Sequence, residues 1–142
     1  MNKPIENNKT WCVIIPTYNN AKTLKRVING VLNYTNNVFI INDGSTDATT
    51  QILLEYQQLY IIHLPENKGK GNALQTGFNA AIKKGFDYAL TIDSDGQHYP
   101  DDIPVFLDEL NTASESLLLI GSRNMTHESV PKKSSFGNRF SN

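Results

Sequence analysis

Two aspartates one residue apart close an apolar run. Tyr88-Ala89-Leu90-Thr91-Ile92 leads straight into Asp93-Ser94-Asp95-Gly96-Gln97. A strand that ends this way sets two carboxylates at one sheet edge. Paired hard oxygen ligands suit a divalent cation, and such a cation can bridge the phosphates of a nucleotide. Asp and Gly are also ordinary turn residues, so the pair takes its weight from its company. Three more polar clusters follow apolar runs in the same way: Pro16-Thr17-Tyr18-Asn19, Asn42-Asp43-Gly44 and Gly121-Ser122-Arg123. A further stretch, Glu66-Asn67-Lys68-Gly69-Lys70-Gly71, places glycines and lysines ahead of a helical pattern. That combination suits an anion. It is not a Walker loop, because the G-x-x-x-x-G-K-[ST] spacing is absent.

The elements that must carry these clusters alternate in period. Trp11-Cys12-Val13-Ile14-Ile15 is a continuous apolar run stopped by Pro16, and 38–41, 60–64, 88–92 and 117–120 are similar runs. Each reads as a strand buried on both faces. Between them, Leu24, Val27, Ile28, Val31 and Leu32 recur at helical spacing within 20–34. Ile52, Leu53 and Tyr56 mark a second helix, entered through the turn 42–47, with Asp47 expected in its first turn. Leu74, Phe78, Ala81 and Ile82 form the inner stripe of a third, closed by Gly85. Ile103, Phe106, Leu107 and Leu110 face inward from a fourth over 101–111, with Pro100 at its start. This alternation predicts an α/β layer fold with a largely parallel sheet. Ligands of such sheets bind beyond the carboxyl ends of the strands, which is where the polar clusters fall.

Bulk properties remove several classes. The 142 residues fit one domain that can bury a core without staples. A formal net charge of -1 gives no global attraction to nucleic acid or to an anionic membrane. A mean hydropathy of -0.40 is that of a water-soluble globular chain. The single cysteine, Cys12, excludes a disulfide framework and is expected as a buried, inert thiol. No apolar stretch approaches the ~20 residues that span a bilayer. The polar segment 1–10 lacks the apolar core of a signal peptide, so a cytoplasmic location is expected.

Taken in order, the motifs resemble those of GT-A nucleotide-sugar transferases. More narrowly, they resemble the large inverting glycosyltransferase family 2, which includes the dolichyl- and polyprenyl-phosphate sugar transferases. The carriers are Val13-Ile14-Ile15-Pro16-Thr17-Tyr18-Asn19, Ile41-Asn42-Asp43-Gly44-Ser45-Thr46-Asp47, Asn67-Lys68-Gly69-Lys70-Gly71-Asn72-Ala73 and Asp93-Ser94-Asp95-Gly96-Gln97-His98. The resemblance implies a three-layer, Rossmann-like GT-A fold with a mostly parallel sheet, truncated at its C-terminal acceptor side. Residues 1–10 would be a polar tail, 11–123 the nucleotide-sugar-binding portion, and 124–142 a mobile basic segment leading to the missing half. The implied activity is that of a hexosyltransferase. It would move a sugar from a UDP- or GDP-sugar to an acceptor, foremost a polyprenyl phosphate, with inversion and with Mg2+ or Mn2+. A glycan or another lipid as acceptor, and a non-catalytic nucleotide-binding module, stay open as alternatives.

The same resemblance assigns residues. Asp43 would accept a hydrogen bond from a base N–H of uracil or guanine. Pro16, Tyr18 and Asn19 would shape the base and ribose pocket. Lys70, Gly71 and Ser94 would belong to the nucleotide site, and Asp93, Asp95 and Gln97 would hold the metal. Arg123 would reach a phosphate bidentately, and Arg139 is a second arginine of that kind. His98 reads as an ordinary surface histidine. The catalytic residues are expected past Asn142, so this chain should bind donor without transferring sugar. A lipid-phosphate acceptor implies peripheral membrane contact in the full-length protein, and an uncovered sheet edge favours self-association. A sugar-1-phosphate nucleotidyltransferase would need a Gly-rich basic signature where Pro16-Thr17-Tyr18-Asn19 stands. A phosphatase with a nucleophilic aspartate would carry its acidic pair on the first strand.

Overall fold

The computed structural model describes residues 10–96, 100–112 and 119–120. Among the described residues, five strands form one sheet: β1 (Trp11–Thr17), β2 (Val38–Asn42), β3 (Tyr60–His63), β4 (Tyr88–Thr91) and β5 (Leu119–Ile120). Their order is β3-β2-β1-β4-β5, and every neighbouring pair is parallel. The connections carry α1 (Ala21–Leu32), α2 (Thr49–Leu53, extended by a 3-10 turn to Tyr56), α3 (Lys70–Lys83) and α4 (Ile103–Thr112, entered through the 3-10 turn Pro100–Asp102). The expected α/β alternation is present. Gln97, His98, Arg123, Arg139 and the whole segment 124–142 lie outside the described residues.

The strands bury alternate residues in two cores. Val13 and Ile15, with Val38, Ile40 and Leu90, pack with Leu24, Val27, Leu53 and Ile103. Cys12 and Ile14, with Phe39 and Ile41, pack with Ala73 and Ala81. Helices α1, α2 and α4 therefore cover one face and α3 the other, giving three layers. Cys12 is fully buried, and burial pushes its thiol up to about 12, which makes it inert.

Three expectations need correction. The buried ridge of α3 is Ala73, Gly77 and Ala81, and Ile82 is 63% exposed. A Cβ on Gly77 would stand 2.5 Å from Ile14 Cγ2. The helix backbone lies against the sheet, so the facing ridge must be small. Leu74 and Phe78 flank it, half-buried. Strand β3 is not buried on both faces: Tyr60 and His63 are exposed, because β3 is an edge with a single neighbour. Pro16 does not stop β1. The β1–β4 register ends at Ile14 and Thr91, whereas β1 and β2 stay paired through Thr17 and Asn42. Pro16 lies where β1 has lost one neighbour, and there a missing N–H is tolerated.

That loss of register places the site. Beyond Ile14 and Thr91, β1 and β4 part. The chain runs outward from β1 through β2 to β3, then returns to β4 and β5 on the other side. This is the topological switch point, where open α/β sheets bind ligands.

Candidate functional site

A cleft occupies the switch point. Pro16, Tyr18, Asp43, Lys70, Asp93, Ser94 and Asp95, all singled out from sequence, line it. Thr17, Asn20, Asn67 and Ala73 line it as well. Asn19 and Gly71 are not among its walls, and Gln97 and Arg123 fall outside the described residues.

The acidic pair is held by α1. Ser94 is 1% exposed, between half-buried Asp93 and exposed Asp95. Asn20 Nδ2 donates to Ser94 Oγ at 2.7 Å, and Thr23 Oγ1 donates to the Ser94 carbonyl at 2.6 Å. Ser94 turned inward sends both flanking carboxylates toward the cleft. Gly96 follows at φ +82, and a side chain there would run into the Arg26 guanidinium. Ser94, expected at the nucleotide, lines the cleft, and its hydroxyl accepts a hydrogen bond from Asn20. Asn20 and Thr23 hold the acidic loop, a role that the sequence alone does not signal. Both look like ordinary residues at a helix start, and their partner lies 71 or more residues away.

Opposite the pair, Asp43 is 2% exposed and organises the loop ahead of α3. Its Oδ2 accepts from Gly69 N at 2.9 Å and from Asn67 Nδ2 at 3.0 Å, and its Oδ1 accepts from Lys68 N at 3.0 Å. Gly44 makes this approach possible, with φ +73 and the Glu66–Asn67 backbone directly over its Cα. The loop delivers Lys70, first residue of α3, into the cleft. Lys70 Nζ lies 2.5 Å from Asp93 Oδ1.

Asn19 has a structural task. Its backbone is left-handed at φ +52. Its Oδ1 accepts from Thr46 N at 2.7 Å and Asp47 N at 3.2 Å. Asp47 in turn accepts from Ala21 N at 3.1 Å and Thr49 N at 2.9 Å, so one carboxylate caps both α1 and α2. It precedes α2 rather than lying in its first turn. Partial desolvation pushes the Asp47 carboxyl up, but the bonds from Thr49 and Ala21 outweigh it and hold the group below the usual carboxylate range. A lowered folded-state value means that the stabilisation is fully present above the ordinary carboxylate range. It is lost as pH falls through the lowered value. Asp47 is exposed and screened by solvent, so Asp47→Ala should lower stability by about 1 kcal/mol at neutral pH through the lost caps. Thermal unfolding followed across pH should show the gap from wild type closing in acid; a gap constant with pH would refute the capping account.

The donor set can be tested against a metal. Among the described residues, no three His, Cys, Asp or Glu side chains gather as a protein cage. Two carboxylates beside an open cleft suit Mg2+ or a similar ion, which is held by one or two carboxylates and completes its shell with phosphate and water. Asp93 already holds a cation here, the Lys70 ammonium. Asp93 and Asp95 fit a divalent ion that completes its shell with ligands from outside the protein.

A parallel sheet of this order, with helices on both faces and polar strand ends at its switch point, defines a three-layer α/β domain. The model for glycosyl transferase family 2 matches residues 12–134, and the chain belongs to that family. Its architecture is the Rossmann-like GT-A arrangement. The chain is 35% identical over 133 residues to a UDP-N-acetylglucosamine–dolichyl-phosphate N-acetylglucosaminyltransferase of Methanococcus voltae, covering 82% of this chain and 53% of that protein. It is 30% identical over 118 residues to a polyprenol monophosphomannose synthase of Mycolicibacterium smegmatis, covering 78% and 44%. It is 31% identical over 151 residues to a dolichyl-phosphate beta-glucosyltransferase of Mus musculus, covering 90% and 45%. The chain spans about half the length of the curated relatives it matches. Among the described residues, no helix is long and apolar enough to cross a membrane.

Proposed function

We propose that this chain carries the donor-binding part of a hexosyltransferase that moves a sugar from a nucleoside-diphospho-sugar onto a polyprenyl phosphate, with inversion and with Mg2+ or Mn2+. One observation carries the reading: Asp43, Lys70 and the Asp93–Asp95 pair converge on one switch-point cleft. The relatives support the acceptor, being two dolichyl-phosphate sugar transferases and a polyprenol monophosphomannose synthase.

Each residue then has a task. A divalent ion bound at Asp93 and Asp95 would neutralise the charge that develops on the departing nucleoside diphosphate. Gln97 is assigned as a further ligand and Arg123 as a phosphate contact, both on the family resemblance. Tyr18, 44% exposed at the cleft, offers a ring face to the base, with Pro16 beside it. Asp43 supports a choice of base. A carboxylate has about four acceptor sites, and three are taken by Asn67, Lys68 and Gly69. Uracil presents one N–H, at N3. Guanine presents N1–H beside its N2 amino group and wants two acceptors. The remaining site favours a UDP donor over a GDP donor. Catalysis at the acceptor is assigned to none of the described residues, and a lipid-phosphate acceptor places the whole protein at a membrane surface.

A thermal-shift series with UDP, GDP, ADP and CDP, each with and without Mn2+, tests this reading. UDP with Mn2+ should stabilise most, by about 2.7 kcal/mol at a hundredfold excess over Kd. Sugar transfer from the matching donor to a polyprenyl phosphate should follow in the full-length protein. Equal shifts from all four nucleotides, or no shift with any, would sink the proposal. Asp43→Ala should flatten the ranking, because the group that selects a base N–H is gone. Its shifts are read against its own unliganded Tm, which separates lost selectivity from lost loop anchoring. A ranking unchanged in the variant would leave Asp43 as a loop anchor alone.

A further inference from the structure

We infer that Lys70 is an exchangeable counter-ion, which occupies Asp93 until a diphosphate arrives and so couples metal binding to donor binding. The inference rests on the reading of Asp93 and Asp95 as the metal pair, and concerns what stands there before the metal.

Three observations converge on it. Lys70 Nζ lies 2.5 Å from Asp93 Oδ1, on the carboxylate a divalent ion would need. The lysine side chain is 57% exposed while that of Asp93 is 22% exposed, so the lysine end of the pair is the one with room to move. An ion pair this open to solvent contributes little to folding, and its exchange disturbs little else. Lys70 is also the first residue of α3, a helix of 14 residues. A helix N-terminus carries partial positive charge and disfavours a cation. An anion beside the ammonium offsets that unfavourable term. Asp93 supplies a single negative charge; a nucleoside diphosphate supplies more, beside the same helix end.

The Asp43 clamp makes the arrangement specific. It fixes Lys68 and Gly69 by their backbone N–H groups, so the root of Lys70 stays in place while its flexible stem swings. With no diphosphate, the ammonium and a divalent ion compete for Asp93. With one, Lys70 moves to the phosphates, Asp93 is released, and the repulsion between ammonium and metal is screened by the new anion. Metal alone should bind weakly, UDP alone modestly, and the two together with positive coupling, which is reciprocal by linkage.

Titrations of Mn2+ alone, UDP alone and Mn2+ with UDP, followed by the free-Mn2+ resonance signal and by calorimetry, test this. In wild type, UDP should tighten Mn2+ binding by about tenfold. Lys70→Gln should bind Mn2+ alone several-fold tighter than wild type, bind UDP alone more weakly, and lose most of the coupling. Lys70→Arg should keep Mn2+ alone weak. Lys70 as a phosphate ligand only would leave binding of Mn2+ alone unchanged in Lys70→Gln, and that result overturns the inference. Asp95→Asn separates the two levels. Weakened Mn2+ binding in that variant, with no gain in Lys70→Gln, leaves the metal site standing and rejects the exchange. No Mn2+ binding by wild type, even with UDP, rejects both.

Discussion

Asp95→Asn is expected to weaken metal-dependent nucleotide binding by at least about tenfold, or roughly 1.4 kcal/mol, with folding unchanged. Asp95 lies exposed at the end of the acidic loop, and surface substitutions of this kind generally stay within about 0.5 kcal/mol of wild type in stability. Ser94, bonded to Asn20 and Thr23, anchors the loop, and the thermal unfolding of the variant is read beside its binding to keep folding and ligand effects apart. What changes is the charge offered to a hard cation, which prefers anionic oxygen. Asp93→Asn would be a less clean test, since it would also remove the Lys70 ion pair. Calorimetry of UDP binding with Mn2+ and with chelator measures the effect. The tenfold loss should appear only with metal, and equal affinity of variant and wild type in both conditions would remove the acidic pair from the site.

Gly44→Ala is expected to be the most damaging single methyl in the cleft, lowering stability by about 2–5 kcal/mol. Two costs add. The backbone is left-handed at φ +73, which penalises any residue with a Cβ by about 1–2 kcal/mol. The new methyl would also stand on the 66–67 backbone, 2.5 Å from the carbonyl carbon of Glu66 and 2.8 Å from its Cα. Overpacking of this kind costs about 1–3 kcal/mol, and main chain cannot rotate aside as a side chain can. A domain of this size has about 5–15 kcal/mol in total, so the variant is expected near the edge of folding. Where it folds, the loop must lift from Asp43, and nucleotide affinity should fall with it. Gly71→Ala is the control, since nothing lies within 4 Å of a Cβ there and its backbone is ordinary helix. Chemical denaturation of both variants decides the matter. A Gly44→Ala curve superimposed on wild type would show that the two loops are not packed as described.

Periodicity alone determined the layers of this protein. Apolar runs of strand length alternating with helical stripes encode a parallel α/β sheet, because burial on both faces and burial on one face leave different patterns in a chain. The turn chemistry after each strand likewise marks Asp43, Asp93 and Asp95, since polar residues directly after buried strands fall on one rim of such a sheet. The α3 ridge is legible at Ala81 alone, because Ala73 and Gly77 carry almost no hydrophobic signal while Ile82 carries a strong one and lies exposed. Helix-to-sheet distance, not side-chain size, set which face was buried, and distance is a property of the packed state. The fine structure of the site was decided in the same way. Ser94 meets Asn20 across 74 residues, and Asp43 meets Asn67 across 24. Asp47 spans two helices, and Lys70 finds Asp93 only because α3 and β4 lie on either side of β1's open end. A hydrogen bond needs its partners within about 3 Å. No local pattern specifies that closeness between distant segments; it exists only once the sheet order has brought their ends to one edge.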